Sequence, residues 1–203
     1  MVACEESQAV CKAFRSRGHE AYSCDIQDCS GGHPEWHIKG DVLPLLQESW
    51  DLIIAHPPCT YLSNAGANHL YPKPGQLNQE RYQLGLKAKD FFMQFYLADC
   101  PRVCVENPIP STVFQLPKYD QIIQPFQFGH PFSKKTCLWL KGLPKLVSTN
   151  LVTEGIVSLV SGGSFTDKGL PRKTPATKLR DAKSRSKTFE GIASAMAEQW
   201  GIW

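Results

Sequence analysis

The stretch Asp51-Leu52-Ile53-Ile54-Ala55-His56-Pro57-Pro58-Cys59 decides the fold. Its apolar run reads as a strand buried on both faces, and the two prolines, lacking N–H groups, stop the ladder there. A second run, Arg102-Val103-Cys104-Val105, ends in Glu106-Asn107-Pro108. Between them, residues 79–98 place Leu84, Ala88, Phe91, Phe92 and Phe95 on one helical face. A buried strand, a helix and a second buried strand form a parallel crossover, so the chain is α/β.

The same texture extends upstream. Val2-Ala3-Cys4 reads as a short strand, and Ser7 as the cap of a helix with Val10, Ala13 and Phe14 inward. Gly18 stops that helix, and Ala21-Tyr22-Ser23-Cys24 is a second strand ended by Asp25. Downstream, Phe126 to Leu140 reads as a hairpin, or a loop and strand, around Lys134-Lys135. Residues 145–187 are rich in Gly, Ser, Thr, Lys and Arg without sustained periodicity. Phe189, Ile192, Ala193, Met196 and Trp200 then form a helical stripe that packs back on the sheet. The expected organisation is a main domain of residues 1–140 plus 188–203, with a small basic insert at 141–187.

With 203 residues, 42% apolar and 20% charged, the chain can bury a core in one domain, which excludes disorder, collagen and coiled coil. No window is apolar enough for a membrane span, and Met1 to Glu6 do not resemble a signal peptide. Eight cysteines without such a signal read as reduced thiols in a cytoplasmic compartment. Residues 131–190 hold 12 Lys/Arg against 4 Asp/Glu, whereas residues 1–130 hold 10 against 14. A basic C-terminal third on a near-neutral body points to a polyanionic partner, against the alternative of a solvated lysine-rich surface.

Ligands of open parallel sheets bind outside the carboxyl ends of the strands. Four such ends carry Glu5-Glu6-Ser7, Asp25, His56-Pro57-Pro58-Cys59 and Glu106-Asn107-Pro108. Cys59, held by a stiff loop, is a nucleophile candidate, although most cysteines are small buried hydrophobes. Glu106 is an acid candidate, or else a capping or paired carboxylate. Asp25 stands where an acid often takes a ribose hydroxyl. The first turn, Cys4-Glu5-Glu6-Ser7-Gln8, has no glycine with which to cradle a pyrophosphate. That argues against a dinucleotide and for a nucleoside cofactor without phosphates, such as S-adenosylmethionine. Cys24, Cys29, His33 and His37 are of zinc-binding type, but their spacing is unusual and Asp25 lies among them, so no metal is expected.

Together these motifs resemble the cytosine-C5 DNA methyltransferases, most of all short phage-type members. That family carries Pro-Cys after its fourth strand and Glu-Asn after its fifth. Here they are Pro58-Cys59 and Glu106-Asn107, 47 residues apart. The family's acids after strands two and three match Asp25 and Asp41, and Ser63-Asn64-Ala65-Gly66 continues the nucleophile loop as in the family. The resemblance covers residues 2–140 and the terminal helix. The family's first-turn glycines, its Gln-Arg-x-Arg segment and the asparagine of its closing motif are absent.

The resemblance implies a Rossmann-like S-adenosylmethionine-dependent methyltransferase fold, with residues 141–187 as a target-recognition insert. It implies Cys59 and Glu106 as catalytic residues, and Cys4, Glu5, Ser7, Asp25, Asp41 and Pro57 as cofactor contacts. Ser63, Asn64, Asn107, His130, Lys134 and Lys135 would meet the substrate. The implied partner is double-stranded DNA with a flipped cytosine, and the implied setting is a monomer in the cytoplasm of a bacterium or phage-infected cell. A tRNA or nucleotide cytosine methyltransferase, or a non-catalytic nucleic-acid-binding relative, are the alternatives.

Overall fold

The computed structural model describes residues 1–67, 69–73, 75–159 and 187–202. Most of the expected insert, residues 160–186, lies outside the described residues, as does Asn68.

A seven-stranded sheet forms the centre, in the order β3-β2-β1-β4-β5-β8-β6. Its strands are β1 (Val2–Ala3), β2 (Ser23–Asp25), β3 (His37–Lys39), β4 (Ile53–Ala55), β5 (Val103–Pro108), β6 (Gln121–Ile123) and β8 (Thr136–Lys141). The first five are parallel, and β8 runs antiparallel between β5 and β6. This is the Rossmann-like α/β arrangement expected from the sequence. β7 (Phe132–Ser133) leaves the sheet to pair with β9 (Val157–Ser158).

Each face of the sheet is covered by helices that the apolar periodicity dictates. On one face α1 (Ala9–Arg15) and α4 (Glu190–Trp200) pack together over Val2, Ile54, Cys104 and Leu138. On the other, α3 (Gln79–Tyr96) buries Phe92 and Phe95 against Val105 and Trp139. A four-residue helix, α2 (Asn64–Ala67), follows the Pro-Pro-Cys loop. No helix among the described residues is long and apolar enough to cross a membrane.

Two expectations are corrected. Leu84 is exposed, and Gly85 beside it is the buried contact of α3, because any Cβ there would collide with the Phe114 ring. Ser7 does not cap α1. The residue before the helix, Gln8, is left-handed at φ 57°, and Glu5 caps instead. Its carboxylate accepts from Val10 N at 2.7 Å and Cys11 N at 3.2 Å, the second and third helical N–H groups.

Candidate active site

Register decides which side chains meet. Ala3 pairs with Ala55, and Ala55 with Val105, so the parallel pairing of β1, β4 and β5 ends at one level, while β5 runs on to Pro108 against β8. The residues just beyond are Cys4-Glu5-Glu6, His56 and Glu106. His56 N donates to Ala3 O at 2.9 Å, carrying the ladder one step past the named strands.

His56 and Glu106 are joined directly, with His56 Nδ1 2.9 Å from Glu106 Oε2. Their side chains are only 11% and 14% exposed. Burial pushes the carboxyl up, but the His56 hydrogen bond and the charges of Lys134 and His56 outweigh it and hold Glu106 below its ordinary range. Burial alone would lower the imidazole. The hydrogen bond to Glu106, its charge and that of Glu5 outweigh burial and hold His56 above its ordinary value. Both directions describe one ion pair.

Asn107, 1% exposed, donates from Nδ2 to Pro57 O at 3.1 Å and so fixes the loop that carries Cys59. From the other side Arg81 grips the chain beyond Cys59, donating to Thr60 O at 3.2 Å and to Gly66 O at 3.0 Å. Gly66 must be glycine, since a Cβ would collide with Thr60 O. Asn64 N donates to Ile109 O, and Ser111 N to Leu62 O, which stitches the Cys59 loop to the segment after Asn107. The Cys59 thiol is pushed up by burial and then by Glu106, while Lys134 opposes them. The resting thiol is therefore protonated at neutral pH.

The first turn lacks glycine yet adopts conformations that glycine favours. Cys4 stands at φ 58° and Gln8 at φ 57°, each costing about 1–2 kcal/mol for an ordinary residue. Strain of this kind concentrates at ligand sites. Gln8 is fully buried and holds the backbone of His33 at both ends of its amide. Burial, and then the fields of Asp25, Cys24 and Asp41, push the Cys4 thiol up to about 12. Asp25 lies at the end of β2, half-buried, and accepts from Gln27 N; the next residue, Ile26, is 76% exposed. Asp41, past β3, is exposed and accepts from Leu43 N.

Among the described residues, three buried side-chain polar atoms lack a hydrogen-bond partner: Glu6 Oε2, His56 Nε2 and Asn107 Oδ1. All three stand at the carboxyl edge of the sheet, Glu6 and His56 just past β1 and β4, and Asn107 on β5. Buried polar atoms are almost always paired, so their clustering marks a place built for something else.

No protein-family model matches this chain, and no curated protein is similar to it. Among solved structures it is similar to an E. coli prophage protein assigned as a DNA modification methyltransferase. The TM-score is 0.39 and the identity 13%, over 68% of this chain. The match spans 45% of that protein's length.

The remaining expected residues have distinct surroundings. Ser63 is buried and its hydroxyl accepts from Gly66 N, whereas Asn64 is exposed at the start of α2. Lys134, between β7 and β8, faces the pair closely enough to act on both its members and on Cys59. Lys135 beside it is exposed. His130 Nε2 accepts from Gly191 N at 2.9 Å and so braces the start of α4. Ser7 is half-buried in the first turn. Of the zinc-type residues, His33 stacks on Trp36 and His37 is held by Ser23 and Gln27.

Sequence reasoning did not assign Glu6, Arg81 or Ile26. The first and last adjoin residues that it did assign, at the same strand ends. Arg81 acts across the fold and leaves no local signal.

Proposed function

We propose that this chain is a DNA (cytosine-5-)methyltransferase that uses S-adenosylmethionine. The observation that carries the reading is the juxtaposition of Cys59 and Glu106 at the ends of neighbouring strands, amid the unpartnered polar atoms of one sheet edge.

The residues present fit the cofactor. Glu6, 9% exposed with Oε2 unpartnered, suits an ammonium group such as that of a methionine moiety. Asp25 suits ribose hydroxyls, and the exposed Ile26 beside it gains by covering a purine face. Asp41 suits the amino edge of adenine. Cys4, Glu5, Ser7 and Pro57 form the wall between these groups, Glu5 by holding the start of α1. When bound, the cofactor supplies an electrophilic methyl group on a sulfonium.

The chain's own residues do the rest. Cytosine C5 is a poor nucleophile. The Cys59 thiolate adds to C6, and the ring electrons move toward C5 and N3, which makes C5 an enamine carbon. Glu106, as a carboxylate, accepts from the N4 amino group of the base's N3/N4 edge, while the charges of Lys134 and the His56 imidazolium offset the negative charge that develops toward N3. Once C5 carries the methyl group, its proton leaves and Cys59 is expelled. Lys134 also draws the thiol toward thiolate against its burial. The base must leave the duplex first, at a cost of about a few kcal/mol. Ser63, Asn64, Asn107 and His130 line or brace the entrance, Lys135 serves phosphates, and the basic segment 141–187 reads a short target.

Duplex DNA containing 5-fluorocytosine, incubated with S-adenosylmethionine, tests this. The fluorinated ring cannot lose its C5 substituent as a proton, so a denaturant-stable adduct is expected with wild type and not with Cys59→Ala. Methyl transfer without an adduct would overturn the C5 assignment. Transfer to tRNA or dCMP but not to duplex would reassign the substrate.

A further inference from the structure

We propose that His56 is the positioning residue for Glu106: through Nδ1 it holds Oε2, so that the carboxylate meets a base in one fixed orientation and as a hydrogen-bond acceptor. The identity of the base rests on the reading above; the pair itself rests on geometry alone.

Three observations carry it. The first is register. His56 and Glu106 each follow paired residues, Ala55 and Val105, on adjacent parallel strands, and lie 2.9 Å apart. The second is the lack of competition. Nε2 of the same ring is buried with no partner among the described residues, where the bond to Glu106 is the imidazole's only side-chain anchor. The third is the surroundings. Glu5, from the first turn, favours the imidazolium. Lys134, from the β7–β8 connection, opposes it but favours the carboxylate. The thiols that feel the charge of Glu106, Cys59, Cys104 on β5 and Cys137 on β8, are all pushed up and stay neutral.

The chemical consequence is a choice of edge. An ionised carboxylate has no proton to give and accepts N–H groups. An exocyclic amine, as at C4 of cytosine, satisfies it, whereas a carbonyl oxygen in that place is repelled. The pair thus favours an amino-bearing pyrimidine over uracil or thymine.

The first test needs no activity. Nitrogen-15 NMR of histidine-labelled protein, with the signal assigned by its loss in His56→Asn, follows the imidazole against pH. Wild type is expected to titrate above the ordinary histidine range, and Glu106→Gln to titrate lower than wild type, because only Glu5 then opposes burial. An imidazole whose titration ignores Glu106→Gln overturns the proposal. The second test is the pH profile of methyl transfer to duplex DNA. His56→Ala should move the acid limb upward by at least one pH unit with KM for S-adenosylmethionine unchanged. His56→Asn, whose amide still donates to Oε2, should recover part of the shift and preserve the fold. An acid limb that stays in place in His56→Ala overturns the proposal. If wild type transfers no methyl group, the functional reading falls and the NMR result alone decides the pair.

Discussion

The two ends of the central sheet are built differently. At the amino end a cavity of about 340 Å³ opens among Phe14, Trp50, Leu52 and Trp200. None of its lining residues has a buried side-chain polar atom without a partner. Trp50 Nε1 donates to Leu45 O at 2.7 Å, Trp200 Nε1 to Pro144 O at 2.9 Å and Arg102 Nε to Asp51 O at 3.1 Å. At the carboxyl end the side chains are tightly held, yet three buried polar atoms lack partners and two non-glycine residues are left-handed. The presence of a cavity would choose the amino end. Unsatisfied polarity and stored strain choose the other, because each costs stability that only a ligand or a reaction recovers.

The contrast can be broken by substitutions at the two ends. Trp200→Ala, at the amino end, should cost about 3–5 kcal/mol in urea unfolding, with methyl transfer per folded molecule unchanged. Glu106→Gln, at the carboxyl end, should do the reverse. Loss of a positioned, charged hydrogen-bond acceptor lowers turnover about 100-fold, while the urea midpoint moves little. If Trp200→Ala abolished transfer in the folded fraction, the assignment of ends would be wrong. A smaller effect sharpens the loop's role. Arg81→Leu removes the grip on Thr60 and Gly66 and should slow adduct formation about tenfold, for roughly 1–2 kcal/mol of stability. Glu6→Gln should weaken S-adenosylmethionine binding about tenfold by calorimetry, about 1.4 kcal/mol, because the amide cannot neutralise an ammonium group.

The parallel core was legible in the sequence because its strands are short, apolar and stopped by prolines or acids. Pro57-Pro58 ends β4 and Asp25 ends β2, as those residue types require. The helix stripe of Ile192, Met196 and Trp200 was equally plain, since a period of 3.6 survives any tertiary context. The cap of α1 was not. Ser7 has the right side chain, but the left-handed Gln8 takes it out of position and lets Glu5, two residues earlier, reach the helix. The phase of α3 failed at one residue because Gly85 is buried through the shape of Phe114, a contact 29 residues away. Cys59, Asp25 and Glu106 could be found as strand-end residues. The bond from His56 to Glu106 could not, because it depends on which strands become neighbours. Topology, not local pattern, brings together residues 50 positions apart.

The smallest expected effect separates the ion pair from the rest of the sheet edge. Glu106 has a depressed carboxyl, so its stabilising contribution is complete above its unfolded value near 4.3 and is lost as pH falls through the lower folded value. His56 is raised, so its contribution is complete below its unfolded value near 6.5 and is lost as pH rises through the higher folded value. The pair therefore contributes most between roughly pH 4.5 and 6.5. Unfolding free energies of wild type and Glu106→Gln, measured by urea from pH 3 to 9, should differ most in that window and converge on both sides. A single depressed carboxylate would open such a window only from below; closing it from above as well takes the second titrating group, His56.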